Sequence, residues 1–222
     1  GCPSLIIYCA TGFQAAFEHL ITEHGCKKFT LMTVRGSSLE VTERERIFFE
    51  TLKEHGIDKD SVQVLYGDFT FYDANSVLNA YLKNNLKESW KPDFDAIVAL
   101  NDEMALGCIR ALRDFGLKVP KDVAVTGFDD IPRGIFESPS LTSVSQQLDL
   151  QGYKAASLVY DMIKGKKVDD ITVIPSKCIV RHSCGCEYDS LRTFTSPHME
   201  AGFPEVRHDR DESISQWFTT RD

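Results

Sequence analysis

The sequence lacks the marks of several classes of protein. Its longest apolar runs, such as residues 5–10, are far shorter than the roughly 20 residues that a membrane-spanning helix needs. No basic segment followed by an apolar one opens the chain, so we expect no signal peptide in it. Lysine and arginine number 25 against 33 acidic residues, and this net charge of −8 argues against nonspecific nucleic-acid binding. We therefore expect no membrane contact and no direct nucleic-acid contact by this segment.

The cysteines do not have the spacing of a disulfide framework. They number 7, an odd count, and four lie in apolar stretches, where free thiols are usually small buried hydrophobes. These four are Cys2, Cys9, Cys26 and Cys108.

Cys178, Cys184 and Cys186 cluster near the end of the apolar part of the chain, and His182 is the nearby candidate for a fourth zinc ligand. The paired CxxC spacing typical of zinc sites is absent. We therefore predict reduced thiols in a cytoplasmic protein, with no metal and no cofactor. A metal or redox role for these three cysteines stays open.

Short β-rich segments alternate with amphipathic helical ones from residue 4 to residue 180. The pattern predicts strands over residues 5–9, 29–34, 62–66, 96–100, 123–128, 141–145 and 171–174. Helices are predicted over residues 13–24, 40–55, 74–86, 103–115 and 149–164. Nearly continuous apolar strands separated by helices are typical of an α/β fold with a doubly wound parallel sheet.

Composition changes after Cys186. Residues 187–222 contain few aliphatic side chains and sustain neither a helical nor a strand period. We therefore predict one domain over residues 1–186, followed by a linker or C-terminal extension over residues 187–222.

Polar and aromatic residues follow four predicted strands. Because ligands of open parallel α/β sheets bind beyond the carboxyl ends of the strands, these residues form a candidate site. Charged planar groups suit vicinal hydroxyls, and an aromatic face suits the C–H surface of a sugar. Each residue alone also has a simpler explanation, as a helix cap, a turn, an exposed helix face or a core side chain. The residues are Arg44 and Arg46, Phe69, Asn101 and Asp102, and Asp129 and Asp130.

An enzyme is the alternative from another class. Asp129 and Asp130 could bind a metal in a phosphatase or a phosphotransfer protein. However, the chain contains no GxGxxG, GxxxxGK[ST], GxSxG or HExxH motif, and its 6 histidines are dispersed. We therefore predict that it is not an enzyme and has no catalytic residues.

Four segments are informative together: AIVALNDEMALG at 96–107, GLKVP at 116–120, DVAVTGFDD at 122–130 and LTSVSQ at 141–146. In this order they resemble the effector-binding domain of the lac repressor family, which purine and galactose repressors and periplasmic sugar-binding proteins share. The resemblance covers roughly residues 1–181. It implies a periplasmic-binding-protein-like type I fold, with the C-terminal lobe and only part of the N-terminal lobe in this chain.

The resemblance also implies ligand contacts. It places Arg46, Asn101 and Asp129 where the family hydrogen-bonds a small ligand, and Phe69 where some sugar-responsive members stack an aromatic ring on it. Thr11 corresponds to a polar contact from the hinge side.

The implied function is that of a ligand-sensing domain in a transcriptional regulator or signal-transduction sensor. The effector would be a sugar or a related metabolite bound in a cleft between lobes, in a homodimer. An output module outside this chain would be a DNA-binding head or a C-terminal signalling domain, and VRHSCGC at 180–186 resembles the end of sensors that carry the latter. A solute-binding receptor of a sugar transporter remains the alternative.

Overall fold

The computed structural model describes residues 3–36, 38–85 and 92–187, together with the backbone of residues 193–194. The strands of this part are β1 (Ser4–Tyr8), β2 (Phe29–Val34), β3 (Gln63–Gly67), β4 (Ala96–Ala99), β5 (Ala124–Thr126), β6 (Ser143–Ser145), β7 (Ile171–Pro175), β8 (Lys177–Ile179) and β9 (Thr193–Phe194). Its α-helices are α1 (Cys9–Thr22), α2 (Leu39–Glu54), α3 (Phe71–Asn85), α4 (Asp102–Asp114), α5 (Pro132–Phe136) and α6 (Leu148–Ile163).

The main sheet has four parallel strands in the order β3-β2-β4-β5. Met32 at its centre pairs with Leu65 on one side and Ala99 on the other. Every residue of β2 and β4 is buried, as their continuous apolar sequences predict for a sheet covered on both faces. The predicted α/β fold with a parallel sheet is therefore confirmed.

Aromatic packing joins α1 and α2 to the main sheet. The Phe17 ring of α1 lies 4.7 Å from the Phe29 ring of β2 and 4.5 Å from the Phe48 ring of α2, measured between ring centroids. Together these rings hold the two helices on the sheet through buried apolar area and favourable ring geometry.

Two smaller sheets flank the main one. β1 and β7 form a parallel pair, and β6, β8 and β9 form an antiparallel sheet joined to β5 by a bridge between Thr126 and Thr142. Helix α6 has no buried residue and exposes large apolar side chains, including Tyr153, Tyr160 and Ile163. This side of the chain therefore presents an apolar surface.

The predicted strands and helices all have counterparts, with ends shifted by a few residues. The largest shift is in α1, which begins directly after β1 rather than at residue 13. Strand β8 and the short helix α5 were not predicted. Strand β9 falls within the predicted linker, whose remaining residues after 187 lie outside the described part. No helix of the described ranges is both long and apolar enough to span a membrane.

Candidate functional site

Asn101 connects two loops at the carboxyl edge of the main sheet. Its Oδ1 accepts a hydrogen bond from the Met104 N–H at 2.9 Å, which caps the start of α4. Its Nδ2 donates to the Phe69 carbonyl oxygen at 3.0 Å, in the loop after β3. The Asn101 side chain therefore caps α4 and also lies at the carboxyl edge of the sheet, two roles that the sequence analysis had offered as alternatives.

Arg44 extends from α2 across the ends of β4 and β5. Its Nη1 donates to the Leu100 carbonyl oxygen at 2.9 Å, and its guanidinium carbon lies 3.8 Å from the centroid of the Phe128 ring. Its side chain is buried, and its Nε has no hydrogen-bond partner within the described residues. Since buried donors are usually satisfied, this atom is a candidate to bind a ligand.

Asp129 follows β5 in a strained backbone conformation. Its φ is 106° and that of Asp130 is 54°, and such left-handed angles at non-glycine residues concentrate at functional sites. The Asp129 Oδ1 accepts a hydrogen bond from Gln146 Nε2 at 2.6 Å. Burial raises the pKa of Asp129, while the Gln146 bond and the charge of Arg44 oppose the rise. Arg44 and Asp129 therefore bring a donor group and an acceptor group to the same edge.

Two neighbouring acids hold the loops rather than face the edge. Asp130 forms an ion pair with Arg181 at 2.6 Å. Asp102 is buried and accepts hydrogen bonds from Ser143 Oγ at 2.6 Å and from the Ile131 N–H at 2.8 Å. Burial raises the pKa of Asp102 to about 7, although these hydrogen bonds oppose the rise. The two carboxylates thus tie the strand-end loops to the segments around β6 and β8.

Arg46 lies on the outer face of α2, away from this edge. It forms ion pairs with Glu43 and Glu50, and its side chain is 49% exposed. The hydrogen bonds that Arg46 donates to these two carboxylates raise its pKa, chiefly through Glu43. The structure therefore does not bring Arg46 to the other candidate residues, whereas Arg44 of the same helix contacts Leu100 and Phe128 at the edge, and a ligand contact by Arg46 stays a prediction.

The helical period contains the signal that separates the two arginines. Arg44 is three residues after Val41 and four before Phe48, both buried, so it lies on the inward face of α2. Arg46 lies off that stripe, on the exposed helix face that the sequence also allowed, where it pairs with Glu43 and Glu50.

The Thr11 hydroxyl forms hydrogen bonds within the protein, whereas the Phe69 ring is exposed in a loop. The Thr11 hydroxyl donates within the protein, with the Tyr8 and Ser176 carbonyl oxygens at 3.1 and 3.0 Å, so a ligand contact by Thr11 stays a prediction. Phe69 is 39% exposed and has a φ of 69°, so it is a loop residue rather than a core residue. Phe69, Asn101 and Asp129 thus lie at the carboxyl edge as predicted, and Gln146 is an addition that the strand-end pattern did not include.

A second polar cluster consists of His19, His24, Cys184 and Cys186. Their side-chain ligand atoms all lie within 4.8 Å of one another. Burial raises the pKa of Cys184, but hydrogen bonds with His19 and His24 outweigh this effect and lower the pKa below its usual value. The histidines come from the end of α1 and the turn after it, which no local sequence pattern linked to the two cysteines.

His182 is not a member of this cluster. Its Nδ1 lies 2.9 Å from Ser140 Oγ, and its Nε2 lies 3.3 Å from the Glu187 carbonyl oxygen. Cys178 is buried in β8, and burial raises the pKa of its thiol. The ligand set considered from the sequence is therefore replaced in part by His19 and His24.

Comparison with known proteins places this architecture in a family. Residues 17–184 match the periplasmic binding protein-like domain. The HTH-type transcriptional regulator CelR of Thermobifida fusca is 32% identical over 173 residues, which are 78% of this chain and 49% of that protein. The sucrose operon repressor of Escherichia coli is 30% identical over 188 residues, 82% of this chain and 54% of that protein.

A solved structure agrees with the sequence relatives. The complex of the transcriptional regulator CelR with cellobiose has a TM-score of 0.66 and 30% identity, covering 82% of this chain and 54% of that one. The chain spans about half the length of the curated relatives it matches. It belongs to the periplasmic binding protein-like family.

Proposed function

We propose that this chain is the ligand-sensing part of a regulatory protein whose effector is a sugar or a sugar-like metabolite. The observation that carries the proposal is the buried Nε of Arg44, which lacks a partner within the described residues at the edge that also holds Asp129 and Phe69. A ligand with adjacent hydroxyls would accept from the guanidinium and donate to the carboxylate. The exposed Phe69 ring would cover its C–H face.

The relatives support a carbohydrate effector. The solved CelR complex contains cellobiose, and another relative is named as a repressor of a sucrose operon. The relatives are transcriptional regulators, and we propose that this chain likewise performs no catalysis. Asp130 is paired with Arg181 and Asp129 with Gln146, an arrangement that does not favour a metal-binding acid pair for phosphotransfer.

The rest of the protein would supply the second wall of the site and the output. Helix α6 and strand β1 line an open apolar groove that includes Leu5, Leu158 and Met162, a surface suited to packing against further structure. Ligand contacts to both walls would shift an open–closed equilibrium by no more than the difference in affinity between the two states. The output would be a DNA-binding head or a C-terminal signalling domain, in a cytoplasmic homodimer.

Calorimetric titration of the full-length protein that contains this chain tests the proposal. Cellobiose, sucrose and ribose are the first probes, followed by a wider panel of mono- and disaccharides. We expect one of them to bind and to be recovered chemically unchanged. Failure of the whole panel to bind, or conversion of a bound sugar to product, would overturn the proposal.

A solute-binding receptor is the second candidate, because it would use the same contacts. A regulator, unlike a receptor, changes its DNA binding or the activity of its signalling domain when the sugar binds. A sugar-dependent change in DNA binding or output activity of the full-length protein supports the regulator, and constant output with normal sugar binding favours the receptor.

A further inference from the structure

The four side chains of the histidine–cysteine cluster have nearly the spacing of ligands around one tetrahedral ion. The Nε2 atoms of His19 and His24 lie 3.2 Å apart. The His19 Nε2 lies 3.5 Å from the Cys184 Sγ and 3.4 Å from the Cys186 Sγ, and the His24 Nε2 lies 3.5 Å from the Cys186 Sγ. Among the residues that the structure describes, this is the one group of three or more potential metal ligands so placed.

These distances agree with zinc coordination. Bonds of about 2.1 Å to histidine nitrogen and about 2.3 Å to cysteine sulfur, directed to the corners of a tetrahedron, separate the ligand atoms by about 3.4–3.8 Å. The four separations given above, 3.2–3.5 Å, are slightly shorter than this spacing, and all the ligand atoms lie within 4.8 Å of one another, so adjustment of the side chains is enough to accept an ion. Two thiolates with two imidazoles form a ligand set that suits zinc and leaves no coordination position open.

A glycine between the two cysteines allows the turn that brings them close to the histidines. Gly185 separates Cys184 from Cys186 and has a φ of 119°, a conformation in which side chains are strained. A Cβ at this position would lie 2.9 Å from the Nδ1 of His24. A side chain at residue 185 would therefore be unfavourable for two reasons, the backbone conformation of the turn and the close approach of the His24 ring.

We propose that His19, His24, Cys184 and Cys186 bind one structural zinc ion. The ion joins the end of α1 to the turn after β8, across 162 residues between His24 and Cys186. By cross-linking such distant segments, it would hold in place the point where the chain leaves the domain toward residue 187. Zinc binding would thus contribute directly to folding.

The histidine–cysteine cluster is separate from the proposed sugar site. His24 and Cys184 line a groove with Asp95 and Ala124, which lie at the amino ends of β4 and β5. Arg44 and Asp129 lie at the carboxyl ends of the same strands. Loss of one function therefore need not remove the other, and the two proposals are tested independently.

Metal analysis of the purified 222-residue chain, kept reduced throughout, tests the proposal. We expect about one zinc ion per chain by mass spectrometry of the metal content. After removal of the zinc, Co²⁺ should bind and produce the visible absorption of a tetrahedral site with thiolate charge-transfer bands. Chelation should lower the Tm, because an ion bound to the folded state alone stabilises it.

Variants with matched controls identify the ligands. His24→Gln and Cys186→Ser change half-buried members and should lose the zinc and the cobalt spectrum. The control variants are His182→Gln and Cys26→Ser, which change a nearby imidazole and a nearby thiol outside the cluster. They should still bind zinc and still show the cobalt spectrum. Chelation should then lower the Tm of the controls but not that of the two ligand variants.

Three results would overturn the proposal. One is reduced wild-type protein that contains no zinc and takes up no Co²⁺, a measurement that does not depend on any variant folding. Another is unchanged metal content in both His24→Gln and Cys186→Ser. The third is loss of the metal in His182→Gln with retention in His24→Gln.

Discussion

The guanidinium carbon of Arg44 lies 3.8 Å from the centroid of the Phe128 ring, and the next residue along the chain is Asp129. This contact places the arginine at the end of β5 and keeps its Nη1 on the carbonyl oxygen of Leu100, at the end of β4. One side chain of α2 thus touches the ends of two neighbouring strands, and a ligand at this edge would lie beside it.

Arg44→Gln should weaken sugar binding by the full-length protein about 10- to 100-fold, the effect of losing one charge-assisted hydrogen bond. Arg46→Gln is the matched control, because Arg46 lies on the same helix but pairs with glutamates on the outer face. Its binding should be unchanged, and its stability should fall by less than about 1 kcal/mol. Calorimetry measures the affinities, and urea unfolding shows whether either variant is less stable. Weak binding by Arg46→Gln with normal binding by Arg44→Gln would restore the assignment expected from the sequence.

Phe69→Ala should reduce sugar affinity with little change in Tm, because the ring is 39% exposed and contributes less to the core than a buried phenylalanine. Phe69→Trp should keep or increase the affinity, since a larger aromatic face covers more of a sugar. Thermal melts with and without ligand separate the two effects. A loss of about 3–5 kcal/mol in the free energy of unfolding of Phe69→Ala would instead identify a core residue.

The Asp102 carboxyl should make the folded state less stable as the pH rises. Burial raises its pKa from 3.8 to about 7. Between pH 3.8 and about pH 7, the folded state therefore holds a proton that the unfolded state has released. The stabilising contribution is therefore complete below about pH 4 and is lost as the pH rises through about 7, by up to about 4 kcal/mol in total.

The Asp102→Asn variant isolates this contribution. An asparagine can accept the Ile131 N–H and donate to the Ser143 hydroxyl, as a protonated aspartic acid can. We expect its free energy of unfolding, measured in urea at pH 5, 6 and 7, to decline less than that of the wild type. Parallel pH profiles for the two proteins would contradict the raised pKa.

Two helical glycines should respond oppositely to alanine. A Cβ at Gly107 in α4 would collide with the Phe71 carbonyl oxygen and lie 3.1 Å from the Asn75 nitrogen, so Gly107→Ala must push α3 away. We expect a loss of about 1–3 kcal/mol. Gly152 in α6 has no neighbour within 4 Å of such a Cβ, and Gly152→Ala should stabilise by about 0.5–1 kcal/mol. Urea unfolding of both variants checks the pair, and equal shifts in one direction would contradict the packing of α3 on α4.

The end of the domain is tested by two truncations. Strand β9 pairs with Cys178 and Ile179 of β8, although it lies beyond the predicted boundary at Cys186. A chain that ends after Phe194 should therefore have a higher Tm than one that ends after Cys186, because the shorter chain loses these backbone hydrogen bonds. If the two truncations have the same Tm, the boundary predicted from the sequence is the better one.

The sequence by itself determined the fold class and most of the strand-end site. Strands such as β2 and β4 are continuous apolar segments between amphipathic helices, and that alternation predicts a parallel sheet without knowledge of any contact. Once the strands are placed, chain order alone puts Phe69, Asn101 and Asp129 just beyond three strand ends. Their position follows from local sequence, and so does the cap that Asn101 makes.

Only the tertiary structure assembled the histidine–cysteine cluster, whereas the burial of Arg44 rather than Arg46 was already indicated by the helical period of α2 and was shown by its packing. The two arginines are two residues apart on one helix, so the packing of α2 determines which of them is buried. His24 and Cys186 are separated by 162 residues, and their contact exists only when α1 and the turn after β8 pack together. Local patterns describe the conformation of neighbouring residues, but a metal site of this kind depends on distances between segments, which only the folded chain defines.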